Sequence, residues 1–148
     1  GWHRGPGTPH AEAMALAEAG AAARGATVVC TLEPCSHHGR TPPCAAALVA
    51  AGVARVVIGA LDPLERDRAQ GRRVLAEAGV EVAVAAGEEA RRCADLVAPF
   101  LTWAVTARPL VTLKLATSLD GKVATAGGES RWISSPQTAV PRPMPAAP

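Results

Sequence analysis

An α/β sandwich with neighbouring strands parallel is the fold class that this sequence predicts, and three observations predict it. Short β-branched runs recur along the chain, T-V-V-C-T-L at 27–32, A-R-V-V-I-G-A at 54–60 and V-E-V-A-V at 80–84. Between them lie helix-forming stretches long enough for the crossovers that parallel pairing requires. The apolar content, 49% of residues, is mostly Ala, Val and Leu, with one Phe, three Trp and no Tyr, and such small residues favour close helix-on-sheet packing.

The elements follow in order. The chain opens on Gly1 within a Gly/Pro-rich loop, G-W-H-R-G-P-G-T-P-H, which reads as a fragment whose start is missing. From Pro9 onward A-E-A-M-A-L-A-E-A-G-A-A-A is expected to be helical, with a glycine stop at Gly25 after Arg24. The run at 27–32 is a buried strand. A loop follows, and a second helix is expected from Pro43-Cys44, since Pro suits a first helical turn, closing at Gly52. After the strand at 54–60 and the turn L-D-P-L, R-R-V-L-A-E-A is a helix capped at Gly79, and 80–84 is a strand of period two. A helix is expected from Glu88 through Val97. Pro99 and Pro109 bracket a connection around Trp103, L-V-T-L-K-L at 110–115 reads as a fresh strand, and A-T-S-L-D-G-K is a turn. A domain boundary is placed near residue 105. Residues 1–105 then form the first domain and 106–135 the start of a second, whose stretch from Leu110, about 25 residues, is too short for its own core. Residues 136–148 belong to a tail with five prolines from Ser134 on, which suits disorder better than packing.

Composition excludes several function classes. A net charge of +2 with no dense Lys/Arg block argues against nucleic acid as a partner, and so few aromatics leave little to stack bases on. Cys30, Cys35, Cys44 and Cys93 are even in number, yet the chain is too large and too apolar for a disulfide scaffold. Nothing resembles a leader or a membrane span, so the expected setting is the reducing cytoplasm, with no membrane partner. There, clustered Cys and His are more often metal ligands than crosslinks.

The chemistry concentrates in Pro9-His10-Ala11-Glu12 and in E-P-C-S-H-H-G-R-T-P-P-C at 33–44. His-x-Glu followed by Pro-Cys and a second Cys is the zinc-deaminase signature: an imidazole and two thiolates hold Zn²⁺ with one position open, while the Glu moves protons. The spacing of eight residues between Cys35 and Cys44 exceeds the usual two. Three protein ligands with an open site lower the pKa of a bound water to about 7, giving hydroxide at neutral pH. Two soft sulfurs and one imidazole select zinc over hard cations. On a regular helix His10 and Glu12 would point about 200° apart, so both can face one ion only where the helix begins, as Pro9 suggests.

Each part has a plainer reading. His-x-Glu alone is a solvated helix start and the cysteine pair alone two unrelated thiols; in this order, with Glu-Pro before the first Cys, they read together as a metal site. Cys30 in its strand reads as a buried inert thiol, and Cys93 on its helix face as a core or a stray thiol. The loop of His37, His38 and Arg40 is either a polar surface loop or an overhang in which His37 and Arg40 hold an anionic part of a substrate, Arg suiting phosphate. His3 either faces the same site or does not. Lys114, Ser118 and Asp120 read as a β-turn built on Asp-Gly.

H-A-E, T-L-E-P-C-S-H-H-G-R-T-P-P-C, A-G-V-A-R-V-V-I-G-A-L-D-P, L-K-L-A-T-S-L-D-G-K-V-A and G-E-S-R-W-I-S-S together resemble the bifunctional riboflavin-biosynthesis deaminase/reductase, from about Gly1 to Pro136. The resemblance implies a three-layer α/β/α cytidine-deaminase-like zinc domain lacking its N-terminal elements, plus the first strand of a reductase domain. It implies hydrolytic deamination of a diaminohydroxy-phosphoribosylaminopyrimidine, a small-molecule substrate. His10, Cys35 and Cys44 carry over as zinc ligands, Glu12 as the proton shuttle, and His3, His37 and Arg40 as contacts to the ribose-phosphate. The family's reductase half uses NADPH; Lys114, Ala116 and Trp132 match its early cofactor positions and Ser130 a substrate position. The family's Asp-Pro-Asn-Pro turn is here Asp62-Pro63-Leu64-Glu65, and the helix expected after Pro136 is replaced by the proline-rich tail. With most of the reductase missing, this chain alone is expected to reduce nothing. Two other readings stay open, an inactive zinc-binding remnant and a nucleic-acid-editing deaminase, the latter disfavoured by low charge and scarce aromatics. A homo-oligomer is compatible with the sequence, which does not specify one.

Overall fold

The computed structural model describes residues 1–5, 7–64 and 69–129 of the chain, so Ser130, Trp132, Glu65 and the proline-rich tail lie outside the described residues. The chain divides into two compact units, Gly1–Leu110 and Val111–Pro148.

In the first unit the β-branched runs form β1 (Thr27–Leu32), β2 (Arg55–Ala60) and β3 (Glu81–Val84). They pair parallel in the order β1-β2-β3, with Cys30 opposite Ile58 and Val56 opposite Val82. Pleating sends alternate residues to one face, where Cys30, Val56 and Ile58 meet Ala45, Leu48 and Leu75 in a buried cluster. That face is covered by α1 (Ala11–Ala19), α2 (Cys44–Ala51) and α3 (Gln70–Glu77). The other face carries α4 (Gly87–Leu96), packed on β1 and β2. Gly59 makes this approach close: a Cβ there would land on Cys93 Sγ. The result is the expected α/β/α layering.

Three local expectations are corrected. The first helix stops at Ala19 rather than running to Gly25, because Gly20 takes φ 53° and opens a 3-10 turn, Gly20–Ala23, a left-handed backbone that glycine adopts without a side-chain clash. The connection around Trp103 is a helix, α5 (Ala98–Thr106), with Pro99 in its first turn, where a missing N–H costs nothing. Residues 110–115 form no strand: their β-favouring sequence finds no ladder partner among the described residues, and β-propensity expresses itself only against neighbours. The turn after them is present, with Ser118 N–H donating to Lys122 O at 3.0 Å and Gly121 N–H to Ser118 O at 2.9 Å. No helix among the described residues is long and apolar enough to cross a membrane.

Candidate metal centre

His10 is the N-cap of α1, with extended backbone at φ −66° and ψ 161°, and its carbonyl accepts the first intrahelical bond, from Met14 N–H at 3.1 Å. Because His10 lies outside the helical dihedrals, its side chain is freed from the 200° offset that a regular helix would impose relative to Glu12. Cys44 is the first residue of α2, and Cys35 follows the end of β1 after Glu33-Pro34. The sheet delivers Cys35, and the helix that returns from its loop delivers Cys44.

His10 Nδ1 lies 3.3 Å from Cys44 Sγ and 3.7 Å from Cys35 Sγ, and all three ligand atoms fall within 4.8 Å of one another. Zinc held tetrahedrally, with bonds of about 2.0 Å to nitrogen and 2.3 Å to sulfur, places nitrogen and sulfur about 3.5 Å apart. The two observed distances bracket that value, so the donor set fits such an ion in size as well as in softness. All four cysteines are free of disulfides, which removes the crosslinked reading of Cys35 and Cys44.

The electrostatics favour a thiolate on Cys35. The Cys35 thiol is lowered to about 6, first by the hydrogen bond from the Cys44 side chain, then by the Cys44 backbone N–H and the charge of His10, against burial and Glu12. That N–H, at the N-terminus of α2, donates to Cys35 Sγ at 3.3 Å, where a helix favours negative charge. Cys44 is pushed up, chiefly because it donates to Cys35, then by burial and by Glu12. Burial, with a contribution from Glu12, raises Cys30 to about 12, which makes it the inert thiol its strand suggested. The Glu12 carboxylate contributes to raising all three thiols.

The remaining predicted residues are placed unevenly. The His3 ring meets His10 edge-on, centroids 5.1 Å apart at 68°, and is exposed. His37 is half-buried and Arg40 exposed in the loop between the cysteines, while His38 Nδ1 lies 3.2 Å from Gly39 O. Lys114 and Ala116 are exposed residues of the second unit; Ser130 and Trp132 lie outside the described residues. Ser118 Oγ donates to Asp120 Oδ1 at 2.5 Å within the turn. Sequence reasoning missed two participants. The backbone N–H of Cys44 carried one signal, the Pro43 that starts its helix. The buried Glu33 was noticed only as a neighbour of Cys35, although an acidic residue closing an apolar strand is itself a signal.

Residues 1–60 match the cytidine and deoxycytidylate deaminase zinc-binding region, and residues 109–142 match the RibD C-terminal domain. The chain is 48% identical over 138 residues to riboflavin biosynthesis protein RibD of Aquifex aeolicus, covering 93% of this chain and 38% of that protein. To the Escherichia coli protein of the same name it is 50% identical over 137 residues, 93% of this chain and 37% of the relative. It therefore spans less than two fifths of the length of these curated relatives. Among solved structures, Acinetobacter baumannii RibD superposes with a TM-score of 0.75 at 48% identity, over 90% of this chain and 37% of that one. A diaminohydroxyphosphoribosylaminopyrimidine deaminase/5-amino-6-(5-phosphoribosylamino)uracil reductase of Thermotoga maritima superposes with a TM-score of 0.77 at 41% identity, over 87% and 37%.

Proposed function

From a chain that belongs to the riboflavin-biosynthesis deaminase/reductase family, we propose that the first unit hydrolyses the ring amino group of a diaminohydroxy-phosphoribosylaminopyrimidine, with His10, Cys35 and Cys44 as zinc ligands. The observation that carries this reading is the convergence of those three donor atoms within 4.8 Å of one another, with Glu12 two residues after His10 in sequence. Zinc held by these three residues would supply an acidified water, with a pKa of about 7, as the attacking group. Glu12 would carry both protons of that water in turn, one to the ring nitrogen and one to the departing amine. The carbon loses its bond to nitrogen and gains one to oxygen, so amine and water become carbonyl and ammonia.

His3 beside His10, and His37 and Arg40 on the loop between the cysteines, are the side chains we assign to the ribose-phosphate, the Arg40 guanidinium matching a phosphate. In the second unit Lys114, Ala116 and Trp132 are assigned to NADPH and Ser130 to the reductase substrate of the longer relatives. These 148 residues are not expected to reduce on their own: Lys114 and Ala116 are exposed, and no strand forms among residues 111–129. The reduced thiols that the site needs suit a cytoplasmic setting.

Metal analysis should give one zinc per chain, and Cys44→Ala should lose it; equal zinc in both would sink the ligand assignment. Glu12→Gln should keep its zinc and release no ammonia from the pyrimidine substrate, and turnover at the parental rate would contradict the shuttle. A second reading, a zinc-binding chain without turnover, is favoured by the position of β1 at the sheet edge, where Val29 is 74% exposed. Full zinc occupancy with no ammonia from the parent chain would select it.

A further inference from the structure

Resting on the zinc-site reading above, we propose that Glu33 and Gly71 are positioning residues for that centre, clamping the Pro34-Cys35 segment onto the start of α3. Glu33 lies between β1 and Cys35, and its backbone N–H donates to Ala60 O at 2.8 Å, which extends the β1–β2 pairing by one bond. Its side chain turns inward and is 4% exposed. A buried carboxylate carries a large desolvation cost unless its bonds compensate. Here Oε1 accepts Arg72 N–H at 3.2 Å, while Oε2 has no hydrogen-bond partner among the described residues. Among the described residues, the hydrogen bond that the carboxylate makes goes to the start of α3.

That bond supplies what α3 lacks. The first N–H groups of a helix have no partner within it, and the N-cap of α3 is Ala69, at φ 61°, with no side chain able to cap. A carboxylate at that end satisfies a donor and complements the helix dipole. Glu33 caps α3 across 39 residues of sequence. One residue further on, the Pro34 carbonyl oxygen lies where a Cβ on Gly71 would stand, and the Glu33 side chain is 3.4 Å from the same point. Gly71 thus admits the carbonyl, by leaving the space empty.

Cys35 comes next in the chain. From the α2 side its carbonyl accepts Ala45 N–H at 3.1 Å and its sulfur accepts Cys44 N–H at 3.3 Å. From the α3 side the preceding two residues are fixed by Glu33 and Gly71. Held from both sides, the Cys35 sulfur has one position relative to His10 and Cys44, and outer-shell contacts of this kind set metal affinity by orienting the ligand.

The test uses the full chain and compares Glu33→Asp, Glu33→Gln and Gly71→Ala. Zinc affinity is measured by chelator competition, and ligand geometry by the thiolate-to-metal charge-transfer absorption of the cobalt(II) form. Asp keeps the charge but is one methylene too short to reach Arg72, and Ala at 71 pushes the Pro34 carbonyl away. Both should bind zinc about tenfold more weakly or worse and shift the cobalt band, whereas Gln, with an acceptor oxygen at the same reach, should match the parent in both. Parental affinity and band in Glu33→Asp, or a Glu33→Gln as weak as Glu33→Asp, would overturn the clamp. Far-UV circular dichroism of the metal-free variants checks the fold, and should Gly71→Ala fail to fold, the Asp and Gln pair decides. A parent chain that takes up neither metal overturns the zinc site and the clamp together; a parent that binds while all variants bind equally overturns the clamp alone.

Discussion

Two stretches of this chain, T-V-V-C-T-L at 27–32 and L-V-T-L-K-L at 110–115, carry nearly the same β-favouring pattern and meet opposite fates. The first is β1, paired with β2, with Cys30 buried in the core under the helices and α4 on its other face. The second forms no strand, and Val111, at 82% exposed, and Leu113, at 77%, are open to solvent. The difference teaches that a strand is made by what covers and pairs it, since apolar alternation prepares a surface that only a neighbour can bury.

The comparison can be broken by substitutions graded by how much cover each removes. Leu48→Ala should act most strongly: Leu48 is fully buried on α2 against the sheet, and urea unfolding should show a loss of about 2–5 kcal/mol. Gly59→Ala probes the opposite face, where a new Cβ would meet Cys93 Sγ and the Thr31 carbonyl, and the same measurement should show a cost of about 1–3 kcal/mol from overpacking α4 on β2. Leu113→Ala should change stability by less than about 0.5 kcal/mol, as surface substitutions do. A large effect at Leu113 would mean that this stretch is packed after all, and would dissolve the contrast with β1.

The metal centre shows a similar division. His10 at a helix start and the cysteine pair around a Pro-rich loop were legible as donors, because metal-ligand chemistry is a property of residue type and order. The split of the first helix at Gly20 was also written in the chain, as a glycine inside an alanine run, but a glycine in such a run is compatible with either a continued helix or a stop. Pro99 misled for a related reason: a proline that ends a helix elsewhere is well placed in a first turn. Glu33 had no legible task, since its partner, the Arg72 N–H, is a backbone group that any residue would present.

By itself the sequence determined the alternation of strands and helices from β1 to α4, the residue types at the metal centre and the glycine-closed ends of α2 and α3, since these depend on dihedral preference, side-chain chemistry and near neighbours. Tertiary structure decided the rest. It brought His10 to Cys35 and Cys44 across 25 and 34 residues, set Glu33 against the start of α3, and gave a ladder partner to 27–32 but not to 110–115. The reason is physical: these outcomes depend on which surfaces the parallel pairing of β1, β2 and β3 brings within contact, and local propensity carries no information about contacts made so far along the chain.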